Sequence, residues 1–123
     1  MDSSRMAVVG AAFAGMAVAA GAFGAHLLKS MLDAAMLNVF ETAVRYQMYH
    51  ALALCLVASI AERHPRSRMA AVGWLFAVGI VLFSGSLYLL SLSGIRWVGA
   101  LTPVGGAAFM AGWALLVWTV ARA

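Results

Sequence analysis

Residues 6–28, between Arg5 and Lys29, contain no Lys, Arg, Asp or Glu, and the same is true of residues 46–61, 69–95 and 97–121. A helix needs about 20 predominantly apolar residues to cross the hydrocarbon of a bilayer. Three of these runs reach that length alone, and the second reaches it by extending back into residues 40–45. A small soluble domain buries only part of the surface that its unfolded chain exposes, so it could not hide four such runs. The composition agrees: 65% hydrophobic and 10% charged residues, against about 25% charged in soluble domains. Water-soluble enzyme, nucleic-acid module and disordered tail are thereby excluded. The runs also lack the two-residue alternation of a membrane β-barrel. The expected fold is an all-α membrane protein, a single domain over residues 1–123. Its helices form an antiparallel four-transmembrane-helix bundle with spans at 6–28, 42–61, 69–92 and 102–121.

The first run exceeds the roughly 7–15-residue core of a signal peptide and reads as a retained span. Orientation follows from counting bases. With four spans, Arg5, Arg63, Arg66, Arg68 and Arg122 share one side, against Lys29, Arg96 and at most Arg45 on the other. The positive-inside rule then puts both termini in the cytoplasm. Trp74 and Trp118 fall near the inner interface and Trp97 near the outer one, as amphipathic indoles prefer. The net charge of +4 does not point to nucleic acid. The eight bases stand in gaps between apolar runs, where they set topology or meet anionic lipid headgroups. Cys55, the lone cysteine, lies inside an apolar run and allows neither a disulfide nor a CxxC site.

Short connections make neighbouring helices antiparallel. Residues 62–68 (ERHPRSR) form a polar turn broken by Pro65, and residues 94–101 join the last two spans. Thr102 is expected as an N-cap with Pro103 at the first helical position. Asp33 is expected to cap a helix whose first turns, residues 34–41, lie in the outer interface. Lipid tails are as apolar as Leu, so small residues that let backbones approach must help join the helices. Ala7, Ala11, Gly15 and Ala19 form one four-residue row, and Ala17, Gly21 and Ala25 another. Gly105, Gly106, Ala108 and Gly112 serve the last span. Packing within the bundle is the preferred use of these rows, and a dimerisation face the other.

The polar residues of the spans gather in the outer half: His26, Glu41, Arg45, Tyr46, Tyr49, His50, Ser84, Ser86, Tyr88 and Thr102. Charges in lipid are costly, so such groups pair, face the bundle interior or line water. Glu41 and Arg45, four apart, share a helix face and are expected to form an ion pair. The layer reads either as a satisfied network that orders the bundle or as a ligand pocket open to the outer side. Haem ligation by His26 and His50 is disfavoured, since His50 lies about 7.5 Å deeper than Arg45 at the interface and no attachment motif is present. A divalent metal is opposed by Arg45. The FSGSLY segment only superficially resembles a nucleophile elbow, which needs a strand-to-helix turn. No catalytic, cofactor-binding or metal-ligating residue is assigned.

Four motifs carry a resemblance: GAFGAH (21–26), FETAVRYQMYHALAL (40–54), LFSGSLYLL (82–90) and GIRWVGALTPVGG (94–106). In order and spacing they resemble the YgdD / transmembrane-protein-256 family, domain of unknown function 423. The resemblance implies a small four-helix protein of the bacterial inner membrane. It implies no activity, substrate or cofactor. The expectation is therefore a non-enzymatic membrane protein that acts by association, as a homo-oligomer or an accessory subunit of a larger complex, with membrane lipids around it. The alternative is a lipid- or small-molecule-binding protein, or a transporter subunit, that uses the outer polar layer.

Overall fold

A computed structural model describes residues 1–65 and 67–122. Arg66, one of the bases counted above, and the side chain of Ala25, in the second small-residue row, lie outside the described residues. The described chain is all-helical: α1 is Ser3–His26, α2 Ala34–Arg63, α3 Met69–Gly79, α4 Gly85–Ser93 and α5 Thr102–Ala121. A π-helical turn at Ile80–Ser84 runs α3 into α4 without a break, so the five helices make four rods. Three segments are long and apolar enough to cross a membrane: Ser3–Gly24, Met69–Ser93 and Arg96–Ala121.

Helix ends follow local chemistry. The Asp33 carboxylate accepts from the Met36 N–H at 2.8 Å, the N-cap expected for α2. Asp2 does the same for α1 through the Arg5 N–H at 2.8 Å. Gly94 ends α4 in the left-handed conformation, with φ of 73°, which glycine adopts without a Cβ penalty. Thr102 departs from expectation. It is the first residue of α5 and not its cap, which falls on Leu101 without a side-chain bond. The 3₁₀ turn Arg96–Leu101 leads directly into α5, so its carbonyls can meet the amides that a cap would serve. The Thr102 hydroxyl is left for another partner.

The rods pack as α1 on α2, α2 on α3 and α4, and α3 on α5. On α1, Met6, Gly10, half-buried Phe13 and Ala17 make a seam alternating four and three residues, as helices packed along their length require. A Cβ at Gly10 would stand 2.8 Å from the Ala51 carbonyl oxygen, and one at Gly24 2.8 Å from the Phe40 ring. Between α3 and α5, glycine and phenylalanine interlock: Gly79 receives Phe109, Gly105 receives Phe83, and Gly112 receives Phe76. Leu54, Val57, Val72, Phe76, Ile80 and Phe109 fill the core between the rods.

Of the two small-residue rows on α1, one packs inside the bundle and the other does not. Ala17 is buried and Gly21 meets Val44. Ala7, Ala11, Gly15 and Ala19 face outward, and a Cβ at Gly15 would meet nothing within 4 Å. The reason is geometric: α2 covers α1 along one stripe, and the stripe of Ala7, Ala11, Gly15 and Ala19 stays exposed among the described residues.

Candidate functional site

The buried polar residues Gln47, His50, Ser84, Ser86, Ser91 and Thr119 lie on α2, the π turn, α4 and α5, and each side chain finds a partner inside the protein. Gln47, on the seam of α2 with Ala43, Leu54 and Val57, reaches both ways. Its Nε2 donates to the Phe13 carbonyl of α1 at 2.8 Å, and its Oε1 accepts from the Tyr88 hydroxyl of α4 at 2.7 Å. One amide thus ties three rods. The π turn delivers Ser84 to α2, where its hydroxyl donates to the Ala43 carbonyl at 2.7 Å. Tyr88, four residues on, lies on the same face and meets Gln47. Ser86 points to the other side: its hydroxyl donates to the Phe83 carbonyl at 2.9 Å and stands 2.6 Å from Thr102 Oγ1. With the Ser86 proton spent on Phe83, Thr102 is the donor of that pair.

His50 is held at both ring nitrogens. Nδ1 donates to the Tyr46 carbonyl at 2.8 Å, and Nε2 accepts from the Trp113 indole N–H at 3.0 Å. Indole only donates, which makes Nε2 the unprotonated nitrogen of a neutral imidazole. The ring stacks on Phe109 with centroids 3.5 Å apart and planes within 8°. Phe76 and Trp113 approach edge-on. Neither nitrogen is left to ligate a haem iron, and His26 is exposed at the far end of α1. Among the described residues no group of three His, Cys, Asp or Glu side chains converges for a metal.

The expected polar layer therefore divides. His50, Ser84, Tyr88 and Thr102 join the internal network, with Ser86. Glu41, Arg45, Tyr46 and Tyr49 lie exposed on the outer face of α2, where the Tyr46 and Tyr49 rings pair at 5.7 Å. The expected Glu41–Arg45 ion pair is absent: Arg45 Nη2 donates instead to Thr42 Oγ1 at 3.2 Å. Thr42 is three residues away and is held by its own bond to the Asn38 carbonyl at 2.9 Å. An exposed pair gains too little to draw two long side chains together. Among the described residues the one ion pair is Arg5–Asp2 at 3.9 Å.

Gln47 and Trp113 were missed as site residues. For Gln47 a signal existed, since it continues the helical spacing of the apolar residues that face the bundle. Nothing in the sequence links Trp113 to His50, 63 residues away. Beside this closed network, a groove of about 490 Å³ opens on the outside of α2 and α5, lined by Tyr46, His50, Phe83, Phe109, Met110 and Trp113. Its apolar and aromatic walls suit a hydrocarbon chain. A smaller crevice of about 160 Å³ lies between α1 and α2, beside Gly21, Gly24, Glu41 and Arg45.

Known proteins place this chain in a family. A family model described as a protein of unknown function, DUF423, matches residues 20–106. The chain is 51% identical over 110 residues to the UPF0382 membrane protein SSP2132 of Staphylococcus saprophyticus, covering 89% of this chain and 91% of that protein. It is 47% identical over 111 residues to the UPF0382 membrane protein YwdK of Bacillus subtilis, covering 89% and 90%. It is 41% identical over 116 residues to the UPF0382 inner membrane protein YgdD of Escherichia coli, covering 94% and 88%. No solved structure matches the chain. With apolar rods that can cross a membrane, and with relatives named as membrane proteins along nearly its whole length, this chain is a membrane protein and belongs to the DUF423 family.

Proposed function

We propose that this protein is a four-span protein of the bacterial inner membrane that acts by association and not by catalysis. The rods run antiparallel and both termini lie in the cytoplasm. The second span is α2, whose 30 residues reach about 45 Å at 1.5 Å each. That exceeds the ~30 Å of hydrocarbon, so residues 34–41 lie in the outer interface. Shielding by α1, α3 and α4 lets α2 carry Gln47 and His50 through the membrane, because those groups bond to protein and not to lipid.

The outward row Ala7, Ala11, Gly15 and Ala19 carries the reading. Such rows let membrane helices approach closely, and here no rod of the same chain uses it. The absence of catalysis is supported by the spent state of His50 and of the Ser84, Ser86 and Thr102 hydroxyls, which are bonded to carbonyls or to each other. A homo-oligomer through α1 is the simplest outcome, and an accessory role beside another membrane protein is the variant. In a Cys55→Ala background, Gly15→Cys should give a disulfide-linked dimer in vesicles. Gly15→Leu should shift the parent's oligomer to monomer in mild detergent. A parent that is strictly monomeric, uncrosslinked and without a co-purifying protein would overturn the reading. An impermeant thiol reagent that labels Ser3→Cys or Ala121→Cys in intact cells would overturn the orientation.

One observation favours a second reading. The 490 Å³ groove beside Tyr46 and His50 suits a lipid chain or a small apolar molecule. Lipid that stays bound in native mass spectrometry and is lost on Tyr46→Ala would support it. Unchanged lipid retention would remove it.

A further inference from the structure

At the end of the bundle where α2 stops and α3 begins, a groove of about 630 Å³ gathers Arg63, Arg68 and Arg122 with Ser67, Trp118 and Thr119. The three arginines come from three places: the last residue of α2, the turn before α3, and the residue after α5. Trp118 holds two of them. The Arg68 guanidinium lies over its ring at 5.2 Å and that of Arg122 at 4.6 Å, a cation–π arrangement. His64 and Pro65 complete the wall, and among the described residues no Asp or Glu lines the groove. Glu62, next to Arg63, is exposed and outside it.

These cations are uncommitted. Among the described residues none of the three guanidiniums has an ion-pair partner or donates a side-chain hydrogen bond. Each guanidinium carries five N–H donors in a planar fork that matches phosphate geometry. Ser67 adds a second unmet group: its hydroxyl is the one buried side-chain polar atom without a partner among the described residues.

We propose that this groove binds the phosphate-bearing headgroup of an anionic phospholipid. Its place in the fold selects a lipid over a soluble anion. Trp118 stands in the last turn of α5, and the groove opens where two membrane-crossing rods, Met69–Ser93 and Arg96–Ala121, have their ends. That level is the headgroup layer, which Trp prefers and where clustered bases meet anionic lipid. The inference rests on the membrane spans and not on self-association or on which way the termini face.

The test uses the full-length protein in nanodiscs of phosphatidylcholine doped with phosphatidylglycerol, with bound lipid read by native mass spectrometry. The parent should retain phosphatidylglycerol in preference to phosphatidylcholine. Arg68→Gln with Arg122→Gln should weaken that preference by about fivefold per arginine, while Arg5→Gln, a base outside the groove, should leave it unchanged. Arg68→Lys with Arg122→Lys keeps the charge but loses the fork, and should fall between parent and double Gln variant. Equal retention of the two lipids by the parent overturns the proposal without recourse to any variant. An equal loss in Arg5→Gln also overturns it, by showing that only net charge matters. Displacement of the lipid by millimolar inorganic phosphate overturns the assignment to a lipid and leaves a free-phosphate site.

Discussion

The Trp113 indole N–H and the Nε2 of His50 meet at 3.0 Å across the α2–α5 boundary, and that contact, with the Tyr46 carbonyl on Nδ1, defines a single imidazole tautomer. In a ¹⁵N spectrum of labelled protein, His50 should show a protonated Nδ1 and an unprotonated Nε2. Trp113→Phe should leave Nδ1 protonated but move the Nε2 resonance, because its donor is gone, and should cost about 1 kcal/mol. A parent spectrum with the proton on Nε2 would contradict the geometry.

Gln47 and Tyr88 form the joint between three rods. Tyr88→Phe leaves Gln47 Oε1 buried without a donor, and Gln47→Leu strips both the Tyr88 hydroxyl and the Phe13 carbonyl of a partner. Each change should destabilise the protein by about 1–2 kcal/mol in detergent unfolding titrations. The double variant should lose clearly less than the sum, because the two residues share one bond. Strict additivity would mean that the bond does not contribute.

Glu41→Gln and Arg45→Met should each be nearly silent, within about 0.5 kcal/mol of the parent. Both side chains are exposed, and Arg45 bonds Thr42. A fall in melting temperature in either single variant that the double variant restores would reinstate the ion pair.

The glycines of α5 should separate from those that face outward. A Cβ at Gly105 would stand 2.8 Å from the Phe83 Cα, and one at Gly112 2.6 Å from the Phe76 ring. Gly105→Ala should cost about 1–3 kcal/mol, because backbone cannot step aside. Gly112→Ala should cost less, because a ring can turn. Gly15→Ala meets nothing within 4 Å and should leave the melting temperature of the protomer in place or raise it slightly. Equal losses at Gly105 and Gly15 would refute the α3–α5 interlock.

The sequence by itself determined that this chain is helical and made for a membrane, where α2 begins, and which family it belongs to. Each of these depends on properties carried within a short stretch: apolar run length, the carboxylate of Asp33 three residues before the Met36 amide, the order of a few motifs. It also brought His50, Ser84, Tyr88 and Thr102 into the candidate site, because polar residues in apolar runs must find partners. Tertiary structure decided who those partners are. Gln47 became the joint of the bundle, Trp113 the partner of His50, and Thr102 a partner of Ser86 and not a cap. Glu41 and Arg45 turned outward. Two rows of small residues on α1 look alike in the sequence, yet Ala17 and Gly21 face α2 while Ala7, Ala11, Gly15 and Ala19 face outward. A helix repeats its own pattern locally, but which stripe is covered, and which donor meets which acceptor, depends on rods brought together from distant parts of the chain.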